Sequence, residues 1–61
     1  MPNSAELSSV TTAVVELTQR ITAMADAATA AKDEGVASEL YEAERALRTA
    51  ARRLGKLAAA T

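Results

Sequence analysis

Apolar side chains recur along the first half of this chain in an unbroken three-four spacing. The series is Leu7, Val10, Val14, Leu17, Ile21, Met24, Ala28 and Ala31. Such a seven-residue repeat places one apolar stripe along an α-helix, with Leu7 at heptad position a and Val10 at d. Asn3 is suited to cap the first helical amides, and Glu6 stands three residues later in the capping-box position. We therefore predict helix 1 over about residues 4–33.

A second apolar series follows, out of phase with the first by one residue. It consists of Val36, Leu40, Ala43, Leu47, Ala50, Leu54 and Leu57. Between the two series, Lys32 is a cation in the last turn of helix 1, and Gly35 is suited to the left-handed residue that ends many helices. We predict a turn at about residues 33–36 and helix 2 over about residues 36–58. One continuous helix is the alternative, and it would need a skip in the repeat and an internal glycine at the same place.

The predicted fold is an all-α antiparallel two-helix hairpin that forms a single domain over residues 1–61. A loop this short makes the two helices antiparallel neighbours. In such a pair, a residue at a usually shares a layer with a residue at d. A turn centred near residues 34–35 favours a register that places Met24 level with Leu47. A register shifted by one heptad places Met24 level with Leu40 instead, and both registers mix small with large side chains.

Two helices cannot enclose an apolar seam on their own, because each stripe leaves one flank in water. A chain of this size buries only about 60% of the surface that its unfolded form exposes, so a monomer would be marginally stable. We therefore expect two hairpins to form a twofold-symmetric four-helix bundle. The predicted dimer and core seam is Leu7, Val10, Val14, Leu17, Ile21, Met24, Leu40, Leu47, Leu54 and Leu57. Alanines on the seam would allow the helix backbones to approach closely.

The composition excludes most catalytic chemistry. The chain has no histidine and no cysteine, so the commonest general base, the thiol nucleophile and the usual zinc ligands are missing. Carboxylates at Asp33 and Glu34 are better explained as a polar turn than as an oxygen-only cation site, since no EF-hand pattern is present. We expect no enzymatic activity, no cofactor and no metal.

Charge is distributed very unevenly. The net charge of −1 divides into −6 over residues 1–44 and +5 over residues 45–61. The basic residues of the second part are Arg45, Arg48, Arg52, Arg53 and Lys56. Their spacing places most of them along one helical face, where they could track the phosphates of RNA or DNA. The alternative, a solvated face favoured by the negative end of the helix, agrees better with the lack of interleaved aromatic residues.

The same charges bear on assembly. Glu39, Glu42 and Glu44 lie in the first half of helix 2, and the arginines lie in its second half. If helix 2 packs antiparallel to its symmetry mate, acidic halves face basic halves twice, whereas a parallel pair sets like charges together. These charges are therefore predicted to select the antiparallel dimer, and reversing the three glutamates to lysine should weaken it.

Tyr41 is the single aromatic residue. It falls at heptad position b, beside the seam, and tyrosine is frequent at protein interfaces. It is therefore a candidate partner contact. The interpretation that we favour is that it covers the alanine-rich end of helix 1 near the turn.

The length, the hairpin topology and the mixture of alanine with leucine resemble those of the Rop family of small plasmid-encoded RNA-binding proteins. The resemblance is one of architecture, and no RNA-contacting residue is carried over from that family. We predict a small non-enzymatic homodimeric protein, of bacterial or phage type, that acts as a protein–protein interaction or regulatory module. The alternative is a Rop-like RNA- or DNA-binding protein that uses the arginine face of helix 2. Completing a hetero-complex and lying on a membrane surface are further alternatives.

The sequence shows no apolar stretch long enough for a transmembrane helix. The first residues, Met1 to Glu6, lack the cationic and apolar regions of a signal peptide. We therefore expect a cytoplasmic location.

Overall fold

The computed structural model describes residues 3–61, and over this range the chain forms two antiparallel α-helices packed side by side. Helix α1 spans Ser4–Ala30 and helix α2 spans Glu34–Ala60, each with 27 residues. A helix of that length is about 40 Å long, in agreement with the hairpin's Cα dimensions of 44 × 14 × 14 Å. The predicted all-α hairpin is confirmed, and a single continuous helix is excluded.

The start of α1 follows its predicted cap. The Oδ1 atom of Asn3 accepts a hydrogen bond of 2.7 Å from the backbone N–H of Glu6. This bond satisfies one of the amides that have no partner at the start of a helix. Glu6 also adds a negative charge to the first turn, where the helix dipole favours it.

The turn contains a left-handed residue, but it is not the predicted one. Lys32, with φ of 61°, takes this role, whereas Gly35 lies inside the first turn of α2 without a positive φ. The amide of Lys32 donates to the carbonyl of Thr29 at 3.0 Å, and the amide of Asp33 donates to that of Ala28 at 2.9 Å. These two bonds define a Schellman motif. The predicted end of helix 1 at residue 33 is therefore three residues too late, and α2 begins two residues earlier than predicted.

Asp33 joins the end of one helix to the start of the next. Its backbone amide closes α1, while its side-chain Oδ1 accepts from the N–H of Val36 at 3.4 Å and caps α2. Because Asp33 bonds to both helices, the connection is short, and it restrains the direction in which α2 begins.

Threonine hydroxyls inside α1 donate hydrogen bonds to backbone carbonyls of the preceding turn. The Oγ1 atoms of Thr11 and Thr18 donate to the carbonyls of Leu7 and Val14, each at 2.7 Å. A hydroxyl bonded to the preceding turn needs no other partner. Thr18 is therefore buried between the helices at 6% exposure, without an unpaired polar atom.

The expected pairing of a with d positions is wrong for the packing inside the hairpin. Burial instead follows positions a and e in both helices. In α1 the less exposed series is Leu7, Thr11, Val14, Thr18, Ile21, Ala25 and Ala28, and in α2 it is Ala37, Leu40, Glu44, Leu47, Ala51, Leu54 and Ala58. The e positions carry alanine or residues with satisfied polar groups, and Ala25 and Ala37 are buried. Small side chains at e let the helices approach closely on that side, which turns the d positions outward.

Two polar contacts between the helices define the register. The hydroxyl of Thr22 donates to Glu44, and that of Tyr41 donates to Asp26. The register that places Met24 level with Leu47 is therefore wrong, since it would bring residue 49 level with Thr22. The shifted register, with Met24 level with Leu40, differs from the two contacts by two and three residues. The turn at Lys32 and Asp33 lies before the predicted centre near residues 34–35, which explains why the first register fails.

Candidate interaction surface

The d positions of both helices form exposed apolar stripes. Five large side chains on these stripes, Val10, Leu17, Met24, Val36 and Leu57, are between 46% and 55% exposed. Ala43 is exposed and Ala50 half-buried between Val36 and Leu57 on α2. The large apolar residues at the d positions are therefore still in contact with water in the hairpin.

Both stripes lie on the same side of the hairpin. Successive residues turn by about 100°, so d lies about 60° before a around the helix and e lies about 40° after it. With a and e facing the other helix, d turns to one side. Because the two helices run in opposite directions, that side is the same for both. We call this surface the apolar face, and it consists of Val10, Leu17, Met24, Val36, Ala43, Ala50 and Leu57.

The elongated hairpin exposes more surface than a compact chain of its mass. The hairpin measures 44 Å by 14 Å between Cα atoms, so one side covers about 600 Å² before side chains are added. The accessible surface is 4460 Å², whereas a globular protein of 6.3 kDa would expose about 3,700 Å².

The structure divides the predicted seam residues into three groups. Leu7 is buried. The half-buried residues are Val14, Ile21, Leu40, Leu47 and Leu54, and the exposed ones are Val10, Leu17, Met24 and Leu57. Over residues 3–61 no large side chain is completely buried. The hairpin by itself therefore turns this seam into a half-covered surface and not into a closed core.

The opposite side of the hairpin, which we call the polar face, carries hydroxyl and charged groups. A shallow groove of about 320 Å³ lies there between Val15, Gln19 and Arg48. Next to it, Glu44 has a side chain that is only 17% exposed, accepts a hydrogen bond from Thr22 and pairs with Arg48 at 3.3 Å. The Thr22 hydroxyl also lies 3.0 Å from the Thr18 carbonyl, and its single proton favours the charged acceptor.

Helix α2 distributes its basic residues over several directions. Arg45 pairs with Glu42 and Arg48 pairs with Glu44, each at 3.3 Å, so carboxylates of the same helix offset both charges. Arg52 and Lys56 are exposed near the end of α2. Arg53 lies at heptad position g, beside the apolar face, and is therefore turned away from Arg48 at position b.

Tyr41 lies on the polar face and bridges the two helices. Its hydroxyl donates to Oδ1 of Asp26 at 2.7 Å, and its residue exposure is 37%. The hydroxyl therefore reaches α1 four residues before its last residue, Ala30. Tyr41 and the apolar face lie on opposite sides of the hairpin.

Across residues 3–61, no three carboxylates come together in a way that could hold a metal ion. Neither of the two described helices combines the length and the apolarity that a membrane span requires.

Comparison with protein-family models, with curated proteins and with solved structures finds no match to this chain.

Proposed function

We propose that this chain is a small non-enzymatic helical protein that self-associates through its apolar face and acts as an interaction or regulatory module. A second hairpin covers the face and completes a dimeric four-helix bundle. The observation that carries the proposal is the position of Val10, Leu17 and Met24, three large side chains seven residues apart that all remain about half exposed. A regular stripe of this kind is typical of a helix that packs against another helix.

The dimensions of the face support the same proposal. A standard protein–protein interface buries about 800 Å² on each partner. One side of the hairpin covers about 600 Å² between Cα positions, which is of the same order. A flat hairpin has a second advantage, because an identical hairpin presents an equally long and equally apolar surface.

The runner-up function, nucleic-acid binding through the α2 arginines, has weaker support. Arg45 and Arg48 have carboxylate partners at 3.3 Å, and phosphate binding depends on cations that are available to replace counterions. We expect no gel shift with mixed RNA and DNA at about 50 mM salt. A shift that disappears in Arg52→Ala/Arg53→Ala would favour the runner-up instead.

Paired variants test the proposal, measured by sedimentation velocity over a range of concentrations. Leu17→Gln and Met24→Gln place an amide on the apolar face, whereas Val15→Gln makes a comparable change at a side chain that is 41% exposed on the polar face. We expect the first two to raise the dissociation constant by about tenfold or more, because burying an unpaired amide costs about 1–3 kcal/mol. We expect Val15→Gln to leave it nearly unchanged. Equal effects at all three positions would contradict the proposal.

A further inference from the structure

We propose a specific arrangement for the dimer: α2 lies antiparallel on α2 of the second copy, with the twofold axis passing near Ala46. In this arrangement Glu39 of each copy faces Arg53 of the other. The inference rests on the proposed self-association and adds which helix meets which.

The charges that border the apolar face on α2 are arranged symmetrically. Heptad position g, next to the d stripe on its outer side, carries Glu39, Ala46 and Arg53, and all three residues are exposed. Glu39 and Arg53 each lie seven residues from Ala46. An antiparallel crossing at Ala46 therefore brings each glutamate level with an arginine of the other copy. Position g is where charged pairs between packed helices commonly select partner and orientation.

The apolar residues of α2 are symmetric about nearly the same point. The crossing that pairs Glu39 with Arg53 also brings Val36 level with Leu57, and Ala43 level with Ala50, to within one residue. Ala46 is one residue from the middle of α2, which spans Glu34–Ala60. The two hairpins therefore overlap along their whole length when the charges are matched.

Helix α1 is compatible with the same axis. At the levels set by Thr22 and Glu44, an axis at Ala46 passes beside Arg20 of α1. It brings Leu17 of one copy level with Met24 of the other to within one residue. The alanines of α2 permit a close contact between the two α2 helices, and the large residues of α1 require a wider contact between the two α1 helices. Both contacts fit the usual interaxial distances of about 8–10 Å.

The competing arrangement, α2 on α1 of the second copy, does not match the charges. The contact between Thr22 and Glu44 fixes the relative levels of the two helices. At those levels Arg53 stands beside Ala13 and Glu39 stands beside Ala27, which are the exposed g residues of α1 at these heights. Each charge would then face an alanine and not an opposite charge.

A single introduced thiol tests the arrangement, because the chain contains no cysteine of its own. Ala46→Cys places a thiol next to the twofold axis, where the same residue of the second copy comes within the Cα separation of about 4.4–6.8 Å that a disulfide needs. Ala23→Cys is the matched control, since Ala23 is an exposed alanine of α1 at heptad position c, which points away from α2 and lies outside the apolar face. We expect mild oxidation to convert most of Ala46→Cys into a covalent dimer that reductant reverses, and little of Ala23→Cys.

The outcomes separate this inference from the proposed function. If the unmodified chain sediments as a dimer but Ala46→Cys forms no more covalent dimer than Ala23→Cys, the α2-on-α2 arrangement is wrong and self-association stands. If the unmodified chain sediments as a monomer at every concentration, both proposals are overturned.

Charge exchange gives an independent readout. Glu39→Lys and Arg53→Glu should each raise the dissociation constant at low salt by about three- to tenfold, because each reversal acts at two equivalent pairs. The double variant should return toward the unmodified value. Glu16→Lys, an equal change of charge at an exposed outward position of α1, serves as the control. Effects of Glu39→Lys and Arg53→Glu that simply add in the double variant would overturn the arrangement.

Discussion

The hydroxyl of Tyr41 donates a hydrogen bond of 2.7 Å to Asp26 Oδ1, which joins the two helices across the polar face. We expect Tyr41→Phe to lower the free energy of unfolding by about 0.5–1.5 kcal/mol, since the ring stays and one hydrogen bond is lost. Urea unfolding followed by circular dichroism measures the change. In a double-mutant cycle with Asp26→Ala, the two effects should fail to add. Full additivity would show that the contact contributes nothing.

Thr22 and Glu44 form the second polar link between the helices. The Glu44 side chain is only 17% exposed, the lowest value among the four residues of the two ion pairs on α2. Thr22→Val should destabilise the hairpin by about 1–3 kcal/mol, because it removes a donor from a carboxylate that is largely covered. Thr29→Val is the control, since the Thr29 hydroxyl bonds only to the Ala25 carbonyl of its own helix among the described residues. Thermal unfolding that is equally affected by both variants would contradict the assigned role of Glu44.

Lys32 adopts a left-handed backbone conformation, with φ of 61°. A non-glycine residue pays about 1–2 kcal/mol for this conformation, and glycine adopts it readily. We therefore expect Lys32→Gly to raise the free energy of unfolding by up to about 1 kcal/mol, after the loss of a favourable cation at the end of α1. A decrease in stability, measured by urea unfolding at two salt concentrations, would show that the lysine charge outweighs the backbone strain.

Gly55 lies inside α2, and a Cβ atom built there meets nothing within 4 Å. Gly55→Ala should therefore stabilise the hairpin by about 1 kcal/mol, the usual difference between the two residues in a helix interior. Because position 55 belongs to the polar face, the dissociation constant of the dimer should not change. A loss of dimer in sedimentation would mean that this side of α2 is part of the interface.

The residues themselves explain which parts of the fold could be predicted from the sequence. The three-four spacing and the Asn3 cap are local signals, and they were sufficient for the two helices and the start of α1. The turn lies earlier than predicted because Lys32 takes the left-handed conformation for which glycine is the usual residue. Gly35 lies inside α2 instead.

The packing inside the hairpin could be predicted less well. Heptad reasoning assigns a and d to one interface because both carry apolar residues. It gave no weight to position e, where Thr18 and Glu44 look polar in sequence but are satisfied by the Val14 carbonyl and by Thr22. Apart from Glu44, the e positions of the buried series carry only alanine and threonine, and these small residues are the signal for close packing on that side. The large d residues of the predicted seam therefore lie on the apolar face, where the other helix of the hairpin does not cover them.

The central claim is that a second copy of this chain covers the apolar face, and sedimentation equilibrium of the unmodified protein tests it most directly. Over a range of concentrations, the data should fit a monomer–dimer equilibrium whose upper limit is twice the chain mass of 6.3 kDa. A single species of 6.3 kDa at every concentration, with the helices intact by circular dichroism, would contradict the claim.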